Sequence, residues 1–330
     1  MKHDLDFGLI NFMHTTQNKF RILVSSPPMV LNQELFITRQ ADLGLESTYL
    51  SSPQTLSLDR LKRIILGFDG WIIGDDPCPR SLLEIASNGR LKIIVKWGIG
   101  LDNIDLEAAE ELGIIVKNTP RMLGNEVADL ALTYMNCLAR NVISVHDSVR
   151  GGNWSKPTGI SLSGKKVGIV GFGDIGQSLH KRLIAADMKI IVYEVDSFAK
   201  RDFSHIDFAK WPNQLEDLDF LVFCCPLTRD TLYMFDIHLL KKIKNPLFLI
   251  NVSRGEIVAE EVLVSGLEEG RFRGLALDVF ETEPLAENSG LRKFNNVIFG
   301  THNASNTLEA VIRVSNNALE KMRAALDARS

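Results

Sequence analysis

Cysteine is scarce: Cys78, Cys137, Cys224 and Cys225 are the only four in 330 residues. They form no Cys-x-x-Cys pair and stand beside no histidine cluster, so neither a disulfide framework nor a metal site is indicated. No long run of one charge sign occurs either. The 37 basic and 41 acidic side chains leave a net charge of −4, which argues against nucleic acid or an anionic membrane as the main partner. No apolar stretch approaches the length needed to cross a bilayer. His3, Asp4, Asp6 and His14 interrupt the first twenty residues, unlike the continuous apolar core of a signal peptide. That stretch reads as a short extension of unassigned purpose, and a reducing cytosol suits the unpaired thiols.

What is present is ordinary in amount and informative in order. Hydrophobic residues make up 45% and charged residues 24% of the chain, the balance of a soluble globular protein. A length of 330 residues exceeds what one hydrophobic core usually supports, so two domains are expected. Strand-like runs at Ile22 to Ser25, Thr48 to Ser51, Gly70 to Gly74, Lys92 to Lys96 and Gly113 to Lys117 alternate with stretches suited to crossover helices. The pattern restarts at Lys166 and continues through Phe220 to Cys225, Leu247 to Val252, Gly274 to Leu277 and Val297 to Phe299. Such alternation predicts an α/β chain with two doubly wound, Rossmann-like parallel sheets.

Between the two halves, Gly124 to Val149 carries no proline and no interior glycine, and it reads as one extended helix. Its apolar faces ask for more cover than one domain gives, so it serves either a dimer contact or a purely interdomain role. A last helical stretch, Thr307 to Ala328, either completes the second domain or returns to the first.

The most chemical segment is Val167 to Gly176, an apolar run entering a Gly-x-Gly-x-x-Gly turn ahead of a helix. Gly171 suits the tight turn, Gly173 lets the backbone approach a pyrophosphate, and Gly176 lets helix and strand pack closely. With Asp174 and Ile175 they open a helix whose N–H groups favour phosphate. Three glycines at this spacing arise easily by chance, so context matters. Glu194 supplies it, at the end of the next apolar run and eighteen positions past Gly176. A carboxylate there accepts ribose hydroxyls and repels a 2′-phosphate, favouring NAD over NADP. Asp196 takes that part if the strand ends later.

Taken together, the motifs resemble the D-isomer-specific 2-hydroxyacid dehydrogenases, in particular the D-3-phosphoglycerate dehydrogenase-like branch. The resemblance runs from about Arg21 to the end and rests on a series in the family's order: Lys96 to Asp105 (KWGIGLDNID), Asn118-Thr119-Pro120, Val127-Ala128-Asp129, the glycine turn, Cys225-Pro226-Leu227-Thr228, Asn251 to Gly255 (NVSRG), Leu277 to Pro284 (LDVFETEP) and Thr301-His302-Asn303. It implies a substrate-binding domain from 1–120 and 301–330, an NAD-binding domain at 121–300, an active site in the cleft between them, and a homodimer through the NAD-binding domains.

The family's three catalytic positions fall on Arg254, Glu283 and His302. Their chemistry suits the reaction. Imidazole can accept a hydroxyl proton in one direction and return it in the other. Glu283 would fix the tautomer, and Arg254 offers a planar, permanently charged fork for a carboxylate and a developing oxygen. Singly each is a common loop residue; the order and spacing of all three carry the assignment. By the same resemblance Asp278 meets the nicotinamide carboxamide, Cys225, Pro226 and Val252 line the cofactor together with Arg254 and His302, and the Ile99 and Gly100 amides receive the substrate carboxylate. Cys224 and Cys225 read as buried strand thiols with no basic neighbour to activate them.

The chain also departs from the family. Thr301 stands where proline usually precedes the catalytic histidine. Asp174 replaces a frequent arginine, setting a negative charge near the pyrophosphate. Lys96 matches a basic position for a distal phosphate, yet Asp75 and Asp76 would oppose a dianion unless they point away. Two classes of function are expected. One is a dehydrogenase acting on D-3-phosphoglycerate or on another 2-hydroxy or 2-oxo acid such as glyoxylate or hydroxypyruvate. The other is a non-catalytic NAD(H) sensor or interaction module on the same fold.

Overall fold

Runs rich in Ile, Val and Phe set the two sheets, and the computed structural model describes residues 19–52, 54–195, 203 and 206–329 of the chain. The first sheet holds β1 (Phe20–Val24), β2 (Leu45–Tyr49), β3 (Gly70–Ile73), β4 (Ile93–Lys96) and β5 (Ile115–Lys117). Their spatial order is β2-β1-β3-β4-β5, with every pair parallel. Alternate residues face opposite cores: Leu23, Trp71, Ile73 and Ile94 pack on one side, and Ile22, Val24, Ile72 and Val95 on the other. Burial of both faces explains why these strands read as continuous apolar runs rather than alternating ones.

The last helix, Leu308–Asp327, packs on this first sheet. Thr307 caps its start by accepting the Ala310 N–H at 3.2 Å, which satisfies one orphan donor of the first turn. Val311, Val314, Ala318, Leu319 and Met322, at the three-to-four spacing of one helix face, bury against Ile22, Val24 and Ile72.

The second sheet contains β6 (Lys166–Val170), β7 (Lys189–Tyr193), β8 (Phe208–Ala209), β9 (Phe220–Phe223), β10 (Leu247–Asn251), β11 (Phe272–Leu277) and β12 (Val297–Phe299). Its order is β12-β11-β10-β9-β6-β7-β8, again parallel throughout. The strand order reverses at β6, which pairs with β9 on one side and β7 on the other. Crevices at such switch points are where doubly wound sheets bind ligands.

The stretch expected to be one helix from Gly124 to Val149 is two, Gly124–Arg140 and Val142–Arg150. Asn141 separates them in the left-handed conformation, φ 53 and ψ 36. Asparagine is one of the few residues that visits this region readily, so a chain without glycine or proline still turns. The first helix lays Val127, Ala131, Met135 and Leu138 on the second sheet; the second buries none of its residues. No helix among the described residues is long and apolar enough to cross a membrane. The expected N-terminal extension lies almost wholly outside the described residues.

Candidate active site

Where the C-terminal ends of the two sheets face each other lies a cavity of about 300 Å³. Loops following strands bring the key side chains to it, with Glu283 beside His302 rather than in the lining. Arg254 follows β10, Glu283 and Asp278 follow β11, His302 follows β12, and Lys96, Ile99 and Gly100 come from the end of β4 and the turn beyond it. Val252 and Ile175 also line the cavity.

His302 Nδ1 lies 2.8 Å from Glu283 Oε2. Glu283 is itself held, its Oε1 accepting the Phe280 N–H at 3.0 Å. Burial works against a charged imidazole, while the Glu283 hydrogen bond and the nearby Asp75 charge favour it, and the balance sets the His302 pKa above its ordinary value. With Nδ1 committed to a carboxylate, Nε2 is the ring nitrogen left to exchange a proton with substrate.

Asp278 is 1% exposed, and its carboxylate serves the histidine loop. Its two oxygens accept the N–H groups of Asn303 at 3.2 Å and Ala304 at 2.8 Å, and its carbonyl accepts the His302 N–H at 2.6 Å. These bonds hold His302 at φ 53, a conformation costly for a non-glycine residue. The expected carboxamide partner is thus also a clamp on the His302 loop. The clamp also explains how Thr301 can replace proline there: order comes from Asp278, not from a rigid ring.

Arg254 lies across the cavity floor. Its Nε donates to Asp102 Oδ2 at 3.0 Å and its Nη1 to the Ser253 carbonyl at 2.8 Å. Burial opposes its charge, but Asp102 and Asp75 more than compensate and hold its pKa above the ordinary value. A Cβ on Gly100 would sit 2.1 Å from Arg254 Nη2, so only glycine lets the guanidinium lie against this turn. The Ile99 and Gly100 N–H groups meet no acceptor among the described residues, which leaves amides and guanidinium together as one anion-receiving corner.

Lys96 does not offer a free charge. Its side chain is 3% exposed, and its ammonium donates to the Gly74 carbonyl at 2.6 Å, Asp75 Oδ1 at 2.7 Å and Asn103 Oδ1 at 3.1 Å. The two acids beside it diverge. Asp76 turns inward, accepting from Ser25 Oγ at 2.5 Å and the Leu56 N–H at 2.6 Å, and burial raises its pKa. Asp75 faces the cavity. Burial opposes its charge, yet Lys96, His302 and Arg254 hold its carboxyl far below the usual carboxylate range.

The glycine turn fits a dinucleotide. Gly171 has φ +95, and a Cβ there would lie 2.7 Å from the Cys225 Cα, so the Cys224-Cys225 segment packs directly against the turn. A Cβ on Gly176 would meet the Gly171 carbonyl at 2.1 Å, whereas one on Gly173 would find open space. Gly173 thus faces the room a pyrophosphate needs, at the N-terminus of the Asp174–Ala185 helix. Asp174 directs its carboxylate away, accepting the Gly124 N–H at 2.9 Å. The negative charge expected near the pyrophosphate is instead placed against the N-terminus of the Gly124–Arg140 helix, where the helix dipole favours it.

Glu194, just past β7, accepts the Phe172 N–H at 2.7 Å with Oε2 and the Val195 N–H at 2.7 Å with Oε1. These bonds fix the carboxylate over the turn. Glu194→Ala is expected to raise use of NADP relative to NAD by about tenfold to a hundredfold in kcat/KM, the scale of one short-range charge repulsion. An unchanged ratio would assign the ribose contact elsewhere; Asp196, the other candidate, lies outside the described residues. Cys225 is inert, burial pushing its thiol up to about 12.

Sequence reasoning did not assign roles to Gln54, Asp102 or Tyr134. Gln54 Nε2 donates to Glu283 Oε2 at 3.0 Å, and Tyr134 donates to Asp278 Oδ1 at 3.4 Å. Asp102 carried a signal in the KWGIGLDNID run, but its ion pair joins positions 152 residues apart, and spacing alone does not reveal such a partner.

Comparison with known proteins agrees with this geometry. The sequence model for "D-isomer specific 2-hydroxyacid dehydrogenase, NAD binding domain" matches residues 132–304. A glyoxylate reductase from Thermofilum pendens is 36% identical over 259 residues, covering 76% of this chain and 76% of that protein. A hydroxypyruvate reductase from Thermotoga maritima is 32% identical over 309 residues, covering 92% of this chain and 97% of the other. Among solved structures, the NAD-dependent formate dehydrogenase from Staphylococcus aureus in complex with NAD superposes with a TM-score of 0.81 at 26% identity, covering 94% of this chain and 96% of that one. The chain belongs to the D-isomer-specific 2-hydroxyacid dehydrogenases and is an NAD-dependent enzyme of that family.

Proposed function

We propose that this enzyme reduces a small, unphosphorylated 2-oxo acid of the glyoxylate or hydroxypyruvate type with NADH. One observation carries the choice: the Lys96 ammonium that would meet a distal phosphate is already neutralised by Asp75 at 2.7 Å. The remaining lone pairs of Asp75 face the cavity and repel a dianion. The relatives named glyoxylate reductase and hydroxypyruvate reductase support the same reading.

NADH, held at the glycine turn and by Glu194, supplies the hydride. The rest is done by side chains and amides of the chain. The Ile99 and Gly100 N–H groups and the Arg254 fork receive the substrate carboxylate, and Arg254 also polarises the C2 carbonyl oxygen. His302 donates the proton that oxygen needs, and Glu283 stabilises the imidazolium beforehand and fixes the ring. A panel scored by kcat/KM tests the reading. Glyoxylate and hydroxypyruvate should exceed phosphohydroxypyruvate by about a hundredfold, the scale of one unfavourable charge contact; preference for the phosphorylated acid would overturn it.

The assembly follows from the Val142–Arg150 helix, which buries none of its residues. Val142, Ile143 and Val149 on it, and Trp154 just beyond at 77% exposure, form an apolar face that a second copy would cover. A homodimer is therefore proposed, and sedimentation at twice 36.9 kDa is the expected result; a monomer at all concentrations would refute it. The four unpaired cysteines suit a reducing cytoplasm.

A further inference from the structure

The catalytic histidine has more company than its reaction requires. Besides Glu283, two groups from loops of the first sheet approach His302 Nδ1: Gln54 Nε2 at 3.4 Å and Asp75 Oδ2 at 3.7 Å. Gln54 follows β2 and Asp75 follows β3, whereas Glu283 and His302 follow β11 and β12 of the second sheet. The Gln54 amide donates to Glu283 Oε2 at 3.0 Å and to Asp75 Oδ2 at 3.5 Å. A single amide thus bridges two carboxylates that share one imidazole nitrogen, and the bridge spans the cleft.

We propose that Asp75, tethered through Gln54, is a second acidic partner of His302, a positioning residue that holds the imidazole in its proton-donating form from the opposite side of the cleft. The proposal rests on the reading of His302 as the proton donor in reduction.

The charge inventory around the ring supports the assignment. Glu283 and Asp75 favour the imidazolium and Arg254 opposes it. Lys96 offsets part of the Asp75 charge through their ion pair. The Asp278 carboxylate is committed to the Asn303 and Ala304 amides. Burial is the largest influence against the charged ring, and Asp75 adds to Glu283 in overcoming it. An opposite charge at this distance favours the charged imidazole, and the Lys96 ion pair weakens that effect without removing it. The sign follows. A raised imidazole pKa keeps His302 protonated to higher pH, so reduction persists to higher pH and is lost as pH rises through that value. Because the partners come from opposite sides of the cleft, separating the two sheets would remove Asp75 and Gln54 from His302 and leave it with Glu283 alone.

Asp75→Asn keeps the side-chain shape and removes the charge. In the full chain with NADH and glyoxylate, the pH at which kcat/KM for reduction falls to half should move down by about one unit. The His302 ring-proton NMR resonance, assigned by its loss in His302→Gln, should titrate with the same displacement, and it gives a reading even where turnover is poor. Asp75→Glu should return the midpoint to within about 0.3 unit of the parent even if the rate recovers only in part. A lower rate with both midpoints unmoved would overturn the proposal and leave Asp75 a packing role. Turnover retained in His302→Gln would instead overturn the assignment of the proton donor; turnover lost there, with an unmoved Asp75→Asn midpoint, overturns the present inference alone.

Discussion

His302→Ala is expected to lower kcat for 2-oxo acid reduction by about three to four orders of magnitude, the upper part of the range for general acid catalysis. The reason is local. The ring is the group whose Nδ1 is committed to Glu283 at 2.8 Å, and it stands at the cavity where the carbonyl oxygen must be protonated. NADH affinity should change by no more than about twofold, because the turn that holds the cofactor is a separate part of the second sheet. Equal losses of NADH binding and turnover would show that the side chain mainly holds the loop. That outcome is disfavoured by the bonding pattern, since the loop is fastened through backbone N–H groups to Asp278, and alanine leaves those bonds in place.

Arg254→Met should lower kcat/KM by about a thousandfold, within the 2–5 kcal/mol that truncating one partner of a buried, hydrogen-bonded charge pair costs. Both KM and kcat should suffer, because the fork meets a carboxylate present in the ground state and an oxygen that gains charge only as reaction proceeds. Arg254→Lys keeps the charge but loses the planar fork and should recover only part of the loss. Asp102→Asn provides the control. It breaks the ion pair at 3.0 Å without removing the cation, so it should cost much less; if it cost as much as Arg254→Met, the guanidinium would be a structural counter-ion and not a substrate ligand.

Much of this architecture is legible in the sequence because parallel strands buried on both faces must be apolar throughout. Ten such runs stood out and all ten are strands, together with one just past the glycine turn's helix. β8 was invisible: Phe208 and Ala209 make a strand of two residues, too short for any periodicity. The break at Asn141 was missed for a different reason. Glycine and proline mark most helix boundaries, but asparagine can adopt the left-handed conformation without either.

The site divides along similar lines. Arg254, Glu283 and His302 are readable through the order and spacing of their motifs, and the fold brings Arg254 and His302 to one cavity with Glu283 bonded to the His302 ring. What the motifs could not give was the state of the charges. Lys96 looked available for a phosphate until Asp75, twenty-one positions away, proved to hold it. Asp174 looked like a penalty at the pyrophosphate until its carboxylate turned to Gly124. Asp278, expected to meet the nicotinamide carboxamide, has the further task of fastening the His302 loop with its buried oxygens. In each case the residue type was visible and its partner was not, because ion pairs and caps join loops far apart in the chain.

The most direct test of hydride transfer at this cleft is to supply NADH carrying deuterium at the transferable C4 position, together with glyoxylate or hydroxypyruvate, and to analyse the product. Deuterium is expected at C2 of the hydroxy acid, D-configured when hydroxypyruvate is the substrate, and its formation by His302→Ala should be at least about a thousandfold slower. Product lacking the label, or an L-configured acid, would contradict it.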